Sequence, residues 1–205
     1  MLIWILIVGV VVLTGGYLAF SAGRASARRA LPASTGGAGP DKLLERTVRD
    51  VRANDVLQHR GRDYLVEGVL RYDEDGHPWS GARTLEAGEE VWFLIGLDRA
   101  PGLSIAVLKA AKGLTIAGHP GDNLEHEGVA YRLAKSGAAT VVLDGDLGEM
   151  PGKESRGEGN AGRCRWWRYQ GPDGKCLYVE KWGDSVRALA GVDAARDDVD
   201  LLGAS

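Results

Sequence analysis

A chain of 205 residues, 44% apolar and 26% charged, has room for one globular domain of ordinary size with appendages. A net charge of −3 with no basic stripe excludes a nucleic-acid-binding class. The two cysteines, Cys164 and Cys176, are too few for a disulfide framework, and the thirty glycines favour many tight turns over long helices.

Leu2 to Gly23 carries no charged side chain. As a helix this run would span about 33 Å at ~1.5 Å per residue, enough for a hydrocarbon core of roughly 30 Å. Trp4 and Tyr17 fall near its ends, where amphipathic rings favour the interface. A cleaved signal peptide needs a basic leader and a shorter apolar run, so a retained transmembrane anchor over 1–23 is predicted, meeting the lipid bilayer through residues 2–23. Arg24, Arg28 and Arg29 follow the apolar run, which by the positive-inside rule puts the N-terminus outside and the rest of the chain in the cytoplasm. The expected location is therefore an inner membrane, single-pass. Residues 24–40, basic and then rich in Gly and Pro, read as a tether. Residues 41–53 predict a short helix capped by Asp41, with Leu44, Val48 and Val51 on one face.

A repeat then organises the chain. Asp55, Leu57, His59, Gly61 and Tyr64 recur as Asp122, Leu124, His126, Gly128 and Tyr131, all at an offset of 67. Each copy predicts a strand, a tight turn at the Gly and a second strand beginning at the Tyr. Period-two alternation from Tyr64 to Tyr72 continues the first copy, with further strands over Trp79–Leu85, Glu90–Leu97 and Leu103–Leu108. The second copy runs from Leu124 to Leu143, and Asp146 to Gly162 is a polar, Gly-rich loop. Arg163–Gln170 and Lys175–Trp182 predict a hairpin around Gly171-Pro-Asp-Gly174, and Ser185–Val192 one more strand. Residues 193–205 read as a loose acidic tail. The expected fold class is all-β: duplicated β units over residues 54–192, in halves of about 54–116 and 121–192, forming a barrel-like or two-sheet domain.

The order of several residues between Asn54 and Val192 resembles the domain-of-unknown-function family 4178. The carriers are Asp55, Tyr64-Leu-Val-Glu-Gly68, Trp79, Leu85 and Trp92, then Tyr131, Gly137-Ala-Ala-Thr140, Trp167, Tyr169 and Glu180-Lys-Trp182-Gly-Asp184. Asn54 stands where that family typically has Gly, and Ser80 where an acidic residue often follows the first Trp. The resemblance implies a mostly bacterial, membrane-associated or tethered module with no assigned activity. It also implies a protein partner, with phage-shock-type membrane stress proteins as the hint.

No Gly-x-Ser-x-Gly, His-Glu-x-x-His or phosphate-loop motif occurs, so the chain is not expected to be an enzyme, and no cofactor or metal is assigned. His59 and His126 precede turn glycines beside charged neighbours, which favours solvated turns over metal ligation. In the late hairpin, Gly171 facing Lys175 would pair Tyr169 with Leu177 and Trp167 with Val179, a core face. Cys164 and Cys176 would then lie about 20 Å apart along the strands, too far for a disulfide. The other face would carry Trp166, Arg168, Tyr178, Glu180 and Trp182, with Arg168 in ion-pair reach of Glu180. Rings mixed with opposite charges suit a binding surface, unless another element covers that face. The predicted function is a non-catalytic, membrane-anchored interaction module. The alternative is a small-ligand sensor with an aromatic-lined pocket between the β halves.

Overall fold

A computed structural model describes residues 46–99, 101–148 and 162–202. The expected anchor, the tether, the start of the 41–53 helix and most of the 146–162 loop lie outside the described residues, as does the end of the tail. Among the described residues no helix is long and apolar enough to cross a membrane.

The described strands are β1 (Val56–His59), β2 (Arg62–Glu74), β3 (His77–Glu86), β4 (Glu89–Ile95), β5 (Ile105–Ala110), β6 (Asn123–His126), β7 (Val129–Gly145), β8 (Gly162–Gln170), β9 (Lys175–Trp182), β10 (Ser185–Ala194) and β11 (Val199–Leu202). They form one antiparallel sheet in the order β11-β1-β2-β3-β4-β5-β10-β9-β8-β7-β6, and β2 also pairs with β7. That last pairing joins Gly68–Asp73 to Thr140–Gly145 and closes β2, β3, β4, β5, β10, β9, β8 and β7 into an eight-stranded barrel. Closure removes the edges that an open sheet would expose. Strands β1, β11 and β6 extend the sheet beyond the seam.

The two hairpins β1–β2 and β6–β7 match in detail. Leu57 faces Tyr64 and Leu124 faces Tyr131, while His59 faces Arg62 and His126 faces Val129. Both turns place two residues at positive φ, Arg60 (51°) with Gly61 (72°) and Glu127 (50°) with Gly128 (72°). This is the turn whose twist suits a two-residue hairpin, and Gly occupies its second central position. The bulges also correspond, falling between Val66 and Gly68 in β2 and between Leu133 and Lys135 in β7. Just before each hairpin an aspartate carbonyl accepts from the long strand: Val66 N–H to Asp55 O (2.8 Å) and Leu133 N–H to Asp122 O (2.7 Å).

Each half is covered on both faces. Leu70, Tyr72, Trp79, Trp92, Trp166 and Tyr178 belong to the cluster that fills the barrel. A second cluster packs Leu57, Tyr64, Val66, Phe93, Ile95 and Val199 together, with Val48 and Val51 above them. A third packs Tyr131, Trp167, Tyr169, Leu177 and Val179 beneath Leu114 and Ile116. Each hairpin thus folds its tyrosine over the outside of its own half.

Three expectations are corrected. The described part of the 41–53 helix is only a 3-10 turn, Val48–Asp50, closed by Asp50 Oδ2 accepting from Thr47 N–H (3.0 Å) and Oγ1 (2.9 Å). Beyond it Val51 turns extended, because Arg71 Nη2 donates to its carbonyl (2.8 Å) and its side chain is wanted in the outer core. The described part of the acidic tail is not loose: Val199 is fully buried, and β11 pairs residue for residue with β1. The histidines are not solvated. His59 is 5% and His126 8% exposed, and His59 Nδ1 lies 2.9 Å from the Asp198 carbonyl oxygen.

Candidate functional site

Strands β8 and β9 pair in the expected register, Tyr169 with Leu177 and Trp167 with Val179. The opposite face, however, is the barrel interior. Trp166, Tyr178, Glu180 and Trp182 are all at most 4% exposed, and Arg168 is half-buried at the barrel's end. These five residues are brought together, but no binding surface is presented by them. The reason is closure: once β2 meets β7, every inward side chain of β8 and β9 faces the strands across the barrel. Trp166 and Trp167 are therefore both core, one inside the barrel and one under the outer cover.

Inside the barrel the charged pair is Glu180 with Arg187, not with Arg168. Arg187 donates from Nη2 (2.5 Å) and Nε (3.1 Å) to Glu180 Oε2, and its guanidinium lies 4.0 Å over the Trp92 ring. Tyr72 Oη donates to Glu180 Oε1, and Trp182 Nε1 donates to Oε2 at 3.3 Å. Burial, reinforced by the Glu180 charge, holds the Tyr72 and Tyr178 phenols well above their ordinary range. Burial opposes the charge on Arg187, but Glu180 outweighs it and raises the guanidinium. The pair bridges β9 to β10 and to β2, while Arg187 Nη1 and the Tyr178 hydroxyl beside it are buried without a hydrogen-bond partner among the described residues.

Arg168 instead anchors the barrel's end. It donates to Asp98 from Nη1 and to Asp193 from Nη2 (2.6 Å), while Lys135 reaches the same Asp98 (2.6 Å). Burial opposes ionisation of Asp98, yet the bonds from Lys135 and Arg168 win and lower its carboxyl below the usual range. Cys176 lies nearby, its thiol pushed up to about 12 by burial and by Asp193. Both cysteines are buried, and among the described residues neither is in a disulfide. A cavity bounded by Leu94, Ala106, Leu108, Arg168, Tyr178 and Asp193 measures about 10 Å³. That is room for roughly one water and none for an organic ligand, whose pockets run to about 300 Å³ or more.

The exposed surface carries what sequence reasoning missed. Leu202 faces Val56, Val56 faces Leu65, and Leu65 faces Leu85 across four adjacent strands. Leu65, Leu85 and Leu202 are 48%, 40% and 46% exposed, an apolar row in register on the free side of the sheet. Alternation directs Leu57, Tyr64 and Val66 into the outer core and leaves Val56 and Leu65 on the other face. Val56 and Leu65 meet in one hairpin, but Leu202 is far from them in sequence, so only strand order completes the row.

A family model described as a domain of unknown function, DUF4178, matches residues 52–194. The chain belongs to this family. The match spans the whole barrel and both hairpins, and takes in Asn54, whose φ of 70° is the left-handed conformation that a glycine would adopt freely. No curated protein and no solved structure matches the chain.

Proposed function

We propose that this DUF4178 chain is a non-catalytic interaction module. Leu2 to Gly23 anchors it in an inner membrane, and the β domain lies on the cytoplasmic side, built from a duplicated β unit. It docks a protein partner in a setting of membrane stress, for which phage-shock-type proteins are the candidates. The observation that supports docking is the apolar row Leu202–Val56–Leu65–Leu85, read beside the second unit. There Asn123 faces Arg132 and Arg132 faces Gln170, in the registers that Val56, Leu65 and Leu85 occupy in the first. The same scaffold is thus built with polar residues at those places, so folding does not require leucines. Three half-exposed leucines kept in water have a use outside the fold. A small-ligand sensor is the competing function, and the 10 Å³ cavity speaks against a ligand inside the barrel.

Photo-crosslinking from the full chain in its membrane tests the docking face. A photoreactive residue at Leu65 or Leu85 is expected to give a discrete protein adduct that the same residue at Arg132 or Gln170 does not. Adducts from neither pair, or equal adducts from both, would sink the docking role. For orientation, a C-terminal alkaline phosphatase fusion is expected to be inactive, and an active one would place the domain on the opposite side.

A further inference from the structure

An open groove of about 380 Å³ lies on the outer face of the second half, lined by Gly118, His119, Arg163, Arg165, Trp167 and Lys181, among others. No carboxylate among the described residues lines it. Among the described residues, no ion pair engages Arg163, Arg165 or Lys181. Arg165 on β8 stands directly opposite Lys181 on β9. Like charges so placed oppose strand pairing. Arg163 follows on the same face of β8, about 7 Å along the strand. One wall positions Arg165: its guanidinium lies 5.9 Å from the Trp167 ring centre, and the His119 ring meets the same indole edge-on at 5.1 Å.

The first half shows that the fold does not need this arrangement. Val66 faces Thr84 where Leu133 faces Tyr169, and four residues further the counterparts of Arg165 and Lys181 are Ser80 and Ile95, also a facing pair. Ser80 and Ile95 are buried, and Val48 and Val51 pack in the same cluster as Ile95. In the second half the same place is open and carries three cations with no anion among the described residues.

We propose that this groove binds a phosphate monoester group, carried either by a soluble phosphorylated compound or by an anionic lipid headgroup of the phosphatidic acid type. Three converging cations match a dianion better than a single carboxylate. The two guanidinium groups present paired N–H donors that fit phosphate oxygens, and the lysine adds a mobile point charge. The site is separate from the apolar row and goes beyond a docking role for that row.

The test uses the full chain in phosphatidylcholine nanodiscs, with inorganic phosphate as the probe and its phosphorus resonance as the readout. The native chain is expected to broaden the phosphate line at millimolar concentration. Arg165→Gln with Lys181→Gln is expected to weaken binding about tenfold or more, as the loss of two charge-assisted contacts predicts, without moving the unfolding midpoint. Arg163→Gln, at an exposed position, gives a second measure should the double variant fail to fold. Arg132→Gln, a cation of the same half outside the groove, is expected to change nothing. No broadening by the native chain, or an equal loss in Arg132→Gln, overturns the proposal and leaves diffuse charge only. Adding phosphatidic acid to the nanodiscs identifies the source. A weaker apparent affinity for phosphate, seen in the native chain and not in the double variant, assigns the headgroup, and an unchanged affinity assigns a soluble ester.

Discussion

The two halves of the barrel share a backbone plan and diverge in what they bury. Both hairpins have the same register, the same pair of left-handed turn residues and a bulge at the same place. Inside the barrel, however, Leu94 faces Ala106 in the first half where Glu180 faces Arg187 in the second. On the outside, the buried Ser80–Ile95 pair of the first half is answered by the open Arg165–Lys181 pair. On the free side of the hairpins the contrast reverses, with leucines in the first half and polar residues in the second. Turn and bulge geometry therefore carry the architecture, and side chains at matched positions are free to differ in polarity. Where the polar choice costs stability, as in a buried ion pair, the apolar half supplies a ready control.

The largest effect is expected inside the barrel. Glu180→Leu leaves Arg187 buried without its partner and should cost about 3–5 kcal/mol in chemical denaturation. Adding Arg187→Met, which keeps volume and imitates the apolar first half, should recover most of that loss. A double variant as unstable as the single one would show that the ion pair is not what separates the halves.

A comparable loss is expected at the adjacent tryptophans. Trp166→Ala and Trp167→Ala should each cost about 3–5 kcal/mol, because one fills the barrel and the other the outer cluster. If Trp166→Ala were nearly neutral, the inward face of β8 would have to be solvent-accessible after all.

A smaller change tests how alike the hairpins are. Gly61→Ala and Gly128→Ala, both at φ of 72° with open space around the Cβ position, should each cost about 1–2 kcal/mol from backbone strain alone. Unequal costs would mean that tertiary packing has made one turn more demanding than the other.

The smallest effect concerns acid. Asp98 has its carboxyl lowered in the folded state, so it adds stability that is present above its unfolded value near 3.8 and is lost as pH falls through the folded value. Asp98→Asn should flatten the stability profile below about pH 4 and leave its slope near neutrality unchanged. An unaltered acid limb would show that Lys135 and Arg168 do not hold that carboxylate in solution.

Some of this was legible in local chemistry. Alternation over Tyr64–Tyr72 marks β2, and the Gly171-Pro-Asp-Gly174 turn sets the Tyr169–Leu177 register, because a tight turn leaves the flanking strands one way to pair. The offset of 67 marked both hairpins because Gly at a left-handed position and Tyr on the covered face are local requirements of one motif. Alternation sorts side chains onto two faces but does not say which face is inside. Trp166, Tyr178, Glu180 and Trp182 look like an interface until Gly68–Asp73 finds Thr140–Gly145 and closes the barrel around them. The partner of Glu180 was misassigned for the same reason, since Arg187 becomes its neighbour through β9–β10 pairing, while Arg168 is drawn to Asp98 from a loop after β4. The apolar row and the basic groove were legible only in part. The hairpin registers already set Val56 opposite Leu65 and Arg165 opposite Lys181, but only tertiary pairing brings Leu202 to Val56, and only the fold brings the segment of Gly118 and His119 to the groove.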